Sequence, residues 1–302
     1  MFIQVSSGEC VAMVSAESVH PAHLRALFIN HLDAVLLTFV IGALCLVLHD
    51  ALNLQTFFLL IGMALIAWLA FAYNDLCDAP YDAQDAKKRR RNFFTRQGSL
   101  RYWYIAAPFA LSVAALAFLQ FGARGLLLIG IALLAVWAYS APPLRLKSRP
   151  LFDLIMHALF VQTFPYLLCL YLTGVAWQPI DYLLLTLFFL SSLSAQLEQQ
   201  ARDYKVDRRT DRNFTTQVGL RTTIYMLKFS TALLVVLSLV GVIFGVVPLL
   251  LYPLGLVCIP LVWHRFARRA AQPRSERLVW TVGILAALYV GGVCAYWLVA
   301  NL

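Results

Sequence analysis

Acidic and amide side chains recur at every fourth position in two places. The stretch "YNDLCDAPYDAQDAKKRRR", residues 73–91, sets Asn74, Asp78 and Asp82 at i, i+4 and i+8, and "EQQARDYKVDRRTDRNF" does the same with Asp203, Asp207 and Asp211. On a helix this spacing stacks the side chains on one face. Three oxygen ligands so stacked repel and fray the helix unless a hard cation sits between them. Each cluster is followed by basic residues and then by similar segments, "RNFFTRQGSLR" from Arg91 and "RNFTTQVGLR" from Arg212. Two acidic faces across a cavity, with cations between them and Lys and Arg around them, suit a diphosphate. Mg²⁺ binds through one or two carboxylates per ion and completes its octahedron with water and phosphate oxygens. The ions and basic side chains would stabilise the charge that builds as a C–O bond to diphosphate breaks.

A third stretch belongs with these. In "YSAPPLRLKSRP", residues 139–150, Pro142 and Pro143 end a helix, and Tyr139 and Lys147 are placed to reach a diphosphate or the departing oxygen. Arg149 reads as part of an ordinary basic turn, and Lys87–Arg91 as a solvated anchor of topology. Asp33 and Glu198 lie near span ends, where a snorkelling or helix-capping role is expected ahead of a base or acceptor contact. His157 reads as a hydrogen-bonded core histidine. The six cysteines form no CxxC pair and the six histidines no HExxH, so neither a disulfide framework nor a zinc site is indicated.

The elements that must position these residues are membrane helices. Of 302 residues, 61% are hydrophobic and 13% charged, with a mean hydropathy of +0.75. A soluble domain carries about 25% charged residues. Runs of about 20 apolar residues predict nine spans, near 32–49, 54–73, 102–120, 123–140, 152–173, 179–198, 224–243, 246–263 and 278–300. Connectors after even-numbered spans are basic, and those after odd-numbered spans are short and nearly uncharged. With the N-terminus inside, every Lys and Arg but Arg124 falls on the cytoplasmic side. The net charge of +9 is therefore mostly topology and calls for no nucleic acid. The N-terminal segment lacks the basic start of a signal peptide, and no transit segment is evident, so a prokaryotic plasma membrane is expected. The repeated acidic segments predict a single domain, 1–302, of two pseudo-repeated halves, roughly 20–140 and 150–302, with the site between them at the cytoplasmic face.

These residues resemble a known family. "NDLCDAPYD" resembles the NDxxDxxxD motif of the UbiA superfamily of intramembrane prenyltransferases, of the 4-hydroxybenzoate polyprenyltransferase-like kind. "DYKVD" is similar to its second DxxxD motif, and "YSAPPLRLK" to the YxxxK-type segment between them. The resemblance implies an all-α fold, nine helices around a central cavity under a cytoplasmic cap. It implies that Asn74, Asp78, Asp82, Asp203 and Asp207 bind two Mg²⁺ ions bridging a prenyl diphosphate, with Asp75 and Asp211 as further candidates. Tyr139 and Lys147 would lie on the diphosphate side, with Arg145 as a helper. The implied reaction moves the prenyl group to a hydrophobic acceptor, an aromatic ring or an isoprenoid alkene, and releases diphosphate. Two departures stand out: "RRTDRNFTTQVG" where many relatives are Gly-rich, and Cys77 where an aromatic residue is common. "NDLCDAPYDAQDAKK" looks most like relatives that prenylate carotenoid-type isoprenoids, such as lycopene elongases.

Two other classes compete. A transporter or non-catalytic lipid-binding protein would need ionisable groups deep in its spans, whereas the acids here cluster at one end. Another Mg²⁺-dependent lipid transferase would concentrate its acids in a single motif.

Overall fold

The structure is a computed structural model that describes residues 15–18, 21–84, 86–97, 99–210, 212–268 and 276–300. Among these, nine helices are long and apolar enough to cross a membrane. In chain order the helices are α1 (Pro21–Ile29), α2 (Leu32–Leu48), α3 (Leu54–Asp82), α4 (Ala86–Arg91), α5 (Ser99–Leu119), α6 (Gly122–Ser140) and α7 (Phe152–Ala158). A π-helical turn (Leu159–Thr163) joins α7 to α8 (Phe164–Thr173). Then come α9 (Pro179–Thr210), α10 (Phe214–Val218), α11 (Leu220–Ile243), α12 (Tyr252–Ala267) and α13 (Glu276–Ala300). One small pairing departs from the all-helical pattern: β1 (Ser15–Ser18) lies parallel to β2 (Arg96–Gln97).

Three spans differ from the hydropathy reading in ways that matter to the site. The first begins at Arg25 and is broken between α1 and α2, where His31 sits as the N-cap of α2. The second continues as helix through Pro80 to Asp82, and the sixth continues to Thr210. Polar residues end a hydropathy window without ending a helix, and cations on Asp78 and Asp207 offset the repulsion between the stacked acids. Local signals account for the ends: Asn53 and Thr56 form a reciprocal capping box that starts α3, and the Pro142–Pro143 pair stops α6 at Ser140.

Packing runs around a closed ring. α2 packs on α3, α3 on α5 and α6, α6 on α7 and α8, α7 on α9, α9 on α11, α11 on α12, α12 on α13, and α13 back on α2. α2 and α8 also touch, with Leu46, Leu59, Leu60, Cys169 and Leu170 in the buried apolar core. At the end away from the acidic motifs, Asp181 of α9 accepts from the Tyr166 hydroxyl of α8 at 2.7 Å and pairs with His49 Nε2, after α2, at 2.9 Å. This clasp holds three helices together by fully satisfied buried polar groups, as burial requires. A groove of about 390 Å³ beside α12 and α13, lined by Leu250, Leu288 and Tyr296 among others, carries none of the candidate residues.

Candidate active site

The C-terminal ends of α3 and α9 and the connector 141–151 meet at one end of the bundle. Asn74, Asp78 and Asp82 occupy the last two turns of α3. The connector reverses through Arg145, whose left-handed backbone (φ 36°) is the kind of strained geometry that clusters at functional sites. That turn carries two cations onto Asp78: Lys147 Nζ lies 2.6 Å and Arg145 Nη2 3.2 Å from its Oδ1. Lys147 also donates to Asn74 Oδ1 at 2.7 Å, Ser140 Oγ donates to the same oxygen at 3.2 Å, and Asn74 donates to Asp78 at 3.2 Å. Arg145 lies over the Tyr81 ring, 3.9 Å from its centroid, a cation–π contact that holds the guanidinium in place. Tyr139, beside Ser140 at the end of α6, is half-buried.

Across the site, Asp203 and Asp207 lie on the extension of α9. Asp203 is held by its neighbour Arg202 through two bonds of 2.8 and 2.7 Å. Asp207 accepts from Asn213 Nδ2 at 3.0 Å and lies 3.5 Å from Lys88 Nζ. Lys88 joins the two acidic faces. Burial alone would lower its pKa, but the fields of Asp207, Asp82 and Asp203 outweigh that and raise it above the ordinary lysine value. Lys147 goes the other way: burial pulls its ammonium below the ordinary range against the opposing pull of Asp78.

Of the two further candidates, only Asp75 is described. Asp75 turns to His31 Nε2 at 2.9 Å, and its own carbonyl accepts from Asn92 Nδ2 at 2.7 Å. Asp211 lies outside the described residues. Two asparagines that spacing did not single out prove to hold the acids. Asn92 donates to Asp82 at 2.9 Å and accepts from Phe94 N, while Asn213 donates to Asp207 and accepts from Thr216 N. Both occur in the repeated "RNF" segments, which was the available signal. Lys88 falls within the run read as a topology anchor, and its contact with Asp207 gives it a second role.

Asp33 accepts from Ala34 N at 2.9 Å in the first turn of α2, a capping role, and His157 exchanges hydrogen bonds with Ser192 at 3.1 and 3.0 Å. Glu198 is 1% exposed and is addressed by Arg265 at 3.3 Å and Arg268 at 3.1 Å from the end of α12. A buried carboxylate so engaged ties α12 to α9. Glu198→Gln is expected to destabilise the protein by about 3 kcal/mol, since breaking a buried ion pair costs that much. The pH profile of any activity should stay in place. Thermal midpoints in detergent, with rate measured against pH, check this, and a displaced pH profile would restore Glu198 as a base.

The donor set suits Mg²⁺. Every candidate ligand is a hard oxygen. Among the described residues no three His, Cys, Asp or Glu side chains converge on one point, and Mg²⁺ shared between one or two carboxylates and a phosphate needs no such cage. The carboxylates are meanwhile compensated by Lys147, Arg145, Lys88 and Arg202, which are themselves anion-binding groups.

Comparison with known proteins bears on the fold and the family. No curated protein matches the chain. A UbiA homolog from Archaeoglobus fulgidus, solved bound to GPP and Mg²⁺, superposes with a TM-score of 0.72 at 20% identity, covering 90% of this chain and 98% of that one. The same homolog bound to DMAPP and Mg²⁺ gives 0.71 at 20% identity, with the same coverage. The apo structure of a UbiA homolog from Aeropyrum pernix K1 gives 0.65 at 15% identity, covering 88% and 97%. At these identities the likeness is one of fold. The family model of the UbiA prenyltransferase family matches residues 35–282, so this chain belongs to the UbiA prenyltransferase family.

Proposed function

We propose that the protein transfers a prenyl group from a prenyl diphosphate to a hydrophobic acceptor at the cytoplasmic face of the membrane, and that Asn74, Asp78, Asp82, Asp203 and Asp207 hold two Mg²⁺ ions against the diphosphate. The observation that supports the reading most is that Lys88, on the segment following α3, reaches Asp207 of α9 at 3.5 Å while also lying in the field of Asp82. The repeated Asn–acid pairing after α3 and after α9 supports an origin in two duplicated halves. The neighbours' GPP and DMAPP complexes support the substrate class.

The chemistry that bound Mg²⁺ supplies is stabilisation of negative charge on the departing diphosphate. The rest falls to the chain. Lys147 and Arg145 take up charge on the leaving oxygens, with Tyr139 as a hydrogen-bond donor on the same side. Lys147 is already partly desolvated, so its charge acts in a low-dielectric site where it is worth most. Lys88 exchanges Asp207 for diphosphate. The allylic cation left behind is shielded from water by apolar walls until an electron-rich acceptor attacks C1 and loses a proton.

The test is transfer of label from geranyl, farnesyl and geranylgeranyl diphosphates to a lipid product, using purified protein in detergent with a host-membrane extract as acceptor source. Mg²⁺-dependent transfer, abolished by EDTA, is expected. Failure of all three diphosphates to bind in the presence of Mg²⁺ would sink the reading.

A further inference from the structure

The short helix α4 carries three cations that the proposed chemistry does not use. Arg89, Arg90 and Arg91 are exposed, and no carboxylate among the described residues lies within ion-pair distance of them. Lys88, one residue earlier, turns inward to Asp207. Basic side chains in a last helical turn can cap its carbonyls, but here other groups do so. The carbonyls of Lys88, Arg89, Arg90 and Arg91 accept from the Asn92 amide at 2.9 Å, Thr95 Oγ1 at 2.8 Å, Arg96 Nη2 at 2.9 Å and Asn30 Nδ2 at 2.7 Å. The backbone of the run is fixed, and its three guanidiniums are left for a partner outside the chain.

Two observations set the depth of the run. Asn92, the next residue, donates to the Asp75 carbonyl at 2.7 Å. Asp75 lies twenty-one residues past Leu54, the first residue of α3, a rise of about 31 Å against a hydrocarbon core of about 30 Å. Phe93 and Phe94 then pack on Tyr102 and Trp103, with ring centroids 6.4 and 5.6 Å apart. Those two and Tyr104, 69% exposed, stand together at the start of α5, an aromatic cluster of the kind found at a membrane–water boundary. Arg89–Arg91 therefore sit just outside the apolar layer, at the level of the lipid headgroups.

Depth and charge select the partner. At the headgroup level the abundant anions are lipid phosphates, and a basic cluster directly beyond a spanning helix gains about fivefold in affinity for anionic lipid per residue. Guanidinium groups suit that partner, since they meet phosphate oxygens through paired hydrogen bonds. A run that served insertion alone would need the charge but no fixed backbone. The proposed diphosphate site has cations of its own in Lys147, Arg145 and Lys88. We infer that Arg89, Arg90 and Arg91 form a docking surface for the headgroups of anionic phospholipids, in the leaflet on the side of the acidic motifs.

The test is equilibrium retention of radiolabelled phosphatidylglycerol and phosphatidylcholine, with matched acyl chains, by the captured full chain in dodecyl maltoside micelles. Phosphatidylglycerol is expected to be held at least about tenfold more tightly at low salt, and most of that preference should vanish in about 1 M salt, where the Debye length is about 3 Å. Arg90→Gln should weaken phosphatidylglycerol about three- to fivefold. Changing all three arginines to Gln should bring it to the phosphatidylcholine level. Changing all three to Lys keeps the charge and should keep the preference. Arg124→Gln, at the opposite end of the bundle, should leave it untouched. An unchanged thermal midpoint with phosphatidylcholine certifies that each variant is folded, and if the triple Gln variant unfolds, Arg90→Gln and the Lys variant still decide. Equal retention of the two lipids by the unmodified protein, a preference that survives the triple Gln change, or its loss in the Lys variant would overturn the inference. Release of phosphatidylglycerol by millimolar inorganic diphosphate would overturn it too, and assign the array to a soluble anion.

Discussion

Asp78→Ala is expected to reduce prenyl transfer to about a hundredth or less and to weaken Mg²⁺-dependent binding of geranyl diphosphate in step. Asp78 is where three elements converge. It carries Lys147 at 2.6 Å and Arg145 at 3.2 Å from the connector, and Asn74 at 3.2 Å from its own helix. Removing its carboxylate takes away a proposed metal ligand and also the anion that orients both cations. The fold should survive, because Lys147 keeps its 2.7 Å bond to Asn74 and Arg145 keeps its seat on the Tyr81 ring. Asp75→Ala is the matched control. Asp75 is adjacent in sequence but turns to His31, so its loss should lower the rate less than about tenfold, with little effect on diphosphate affinity. Labelled transfer and binding measured on both variants decide the matter. Asp78→Ala keeping more than a tenth of the activity would remove it from the site.

The acids could be found from spacing because both motifs lie on single helices, where i, i+4 periodicity survives in the chain. The spans were legible for a similar reason: about twenty apolar residues in a row leave few alternatives to a membrane helix. What spacing could not carry were the long-range partners. Lys88 and Asp207 are 119 positions apart, and Asn74 and Lys147 are separated by 73. Lys88 also hid within a basic run that topology alone explains. Asp75 shows what a motif leaves open. It stands beside Asn74 in sequence, but one residue along a helix is a turn of about 100°, and that carries it to the α2 side.

Asp153 left no trace in the sequence reading, sitting one residue into a span, yet its replacement should have the second-largest effect. It is 0% exposed, and Oδ2 accepts from Gln200 Nε2 at 2.6 Å and from the Phe214 amide at 2.8 Å. Gln200 Oε1 in turn accepts from the amide and hydroxyl of Thr215 at 3.1 and 2.9 Å. This network fixes the start of α10, and the residue immediately before Phe214 is Asn213, which holds Asp207. Asp153→Ala leaves the Phe214 amide and the Gln200 amide without their acceptor, at about 1–3 kcal/mol for each buried donor. Thermal stability should fall accordingly, and geranyl diphosphate affinity should fall roughly tenfold as Asp207 loses its fixed partner. In Asp153→Asn one amide oxygen in the Oδ2 position accepts from both Gln200 and Phe214, but the amide nitrogen then faces the Leu154 amide, so this variant should lie between Asp153→Ala and the unmodified protein. A positioning role is separable from general loosening by a double-mutant cycle. In an Asp207→Ala background, Asp153→Ala should lower the thermal midpoint as before and cost no further diphosphate affinity, because the group it positions is already gone. Fully additive losses of affinity would mean that Asp153 supports the fold at large and not Asp207.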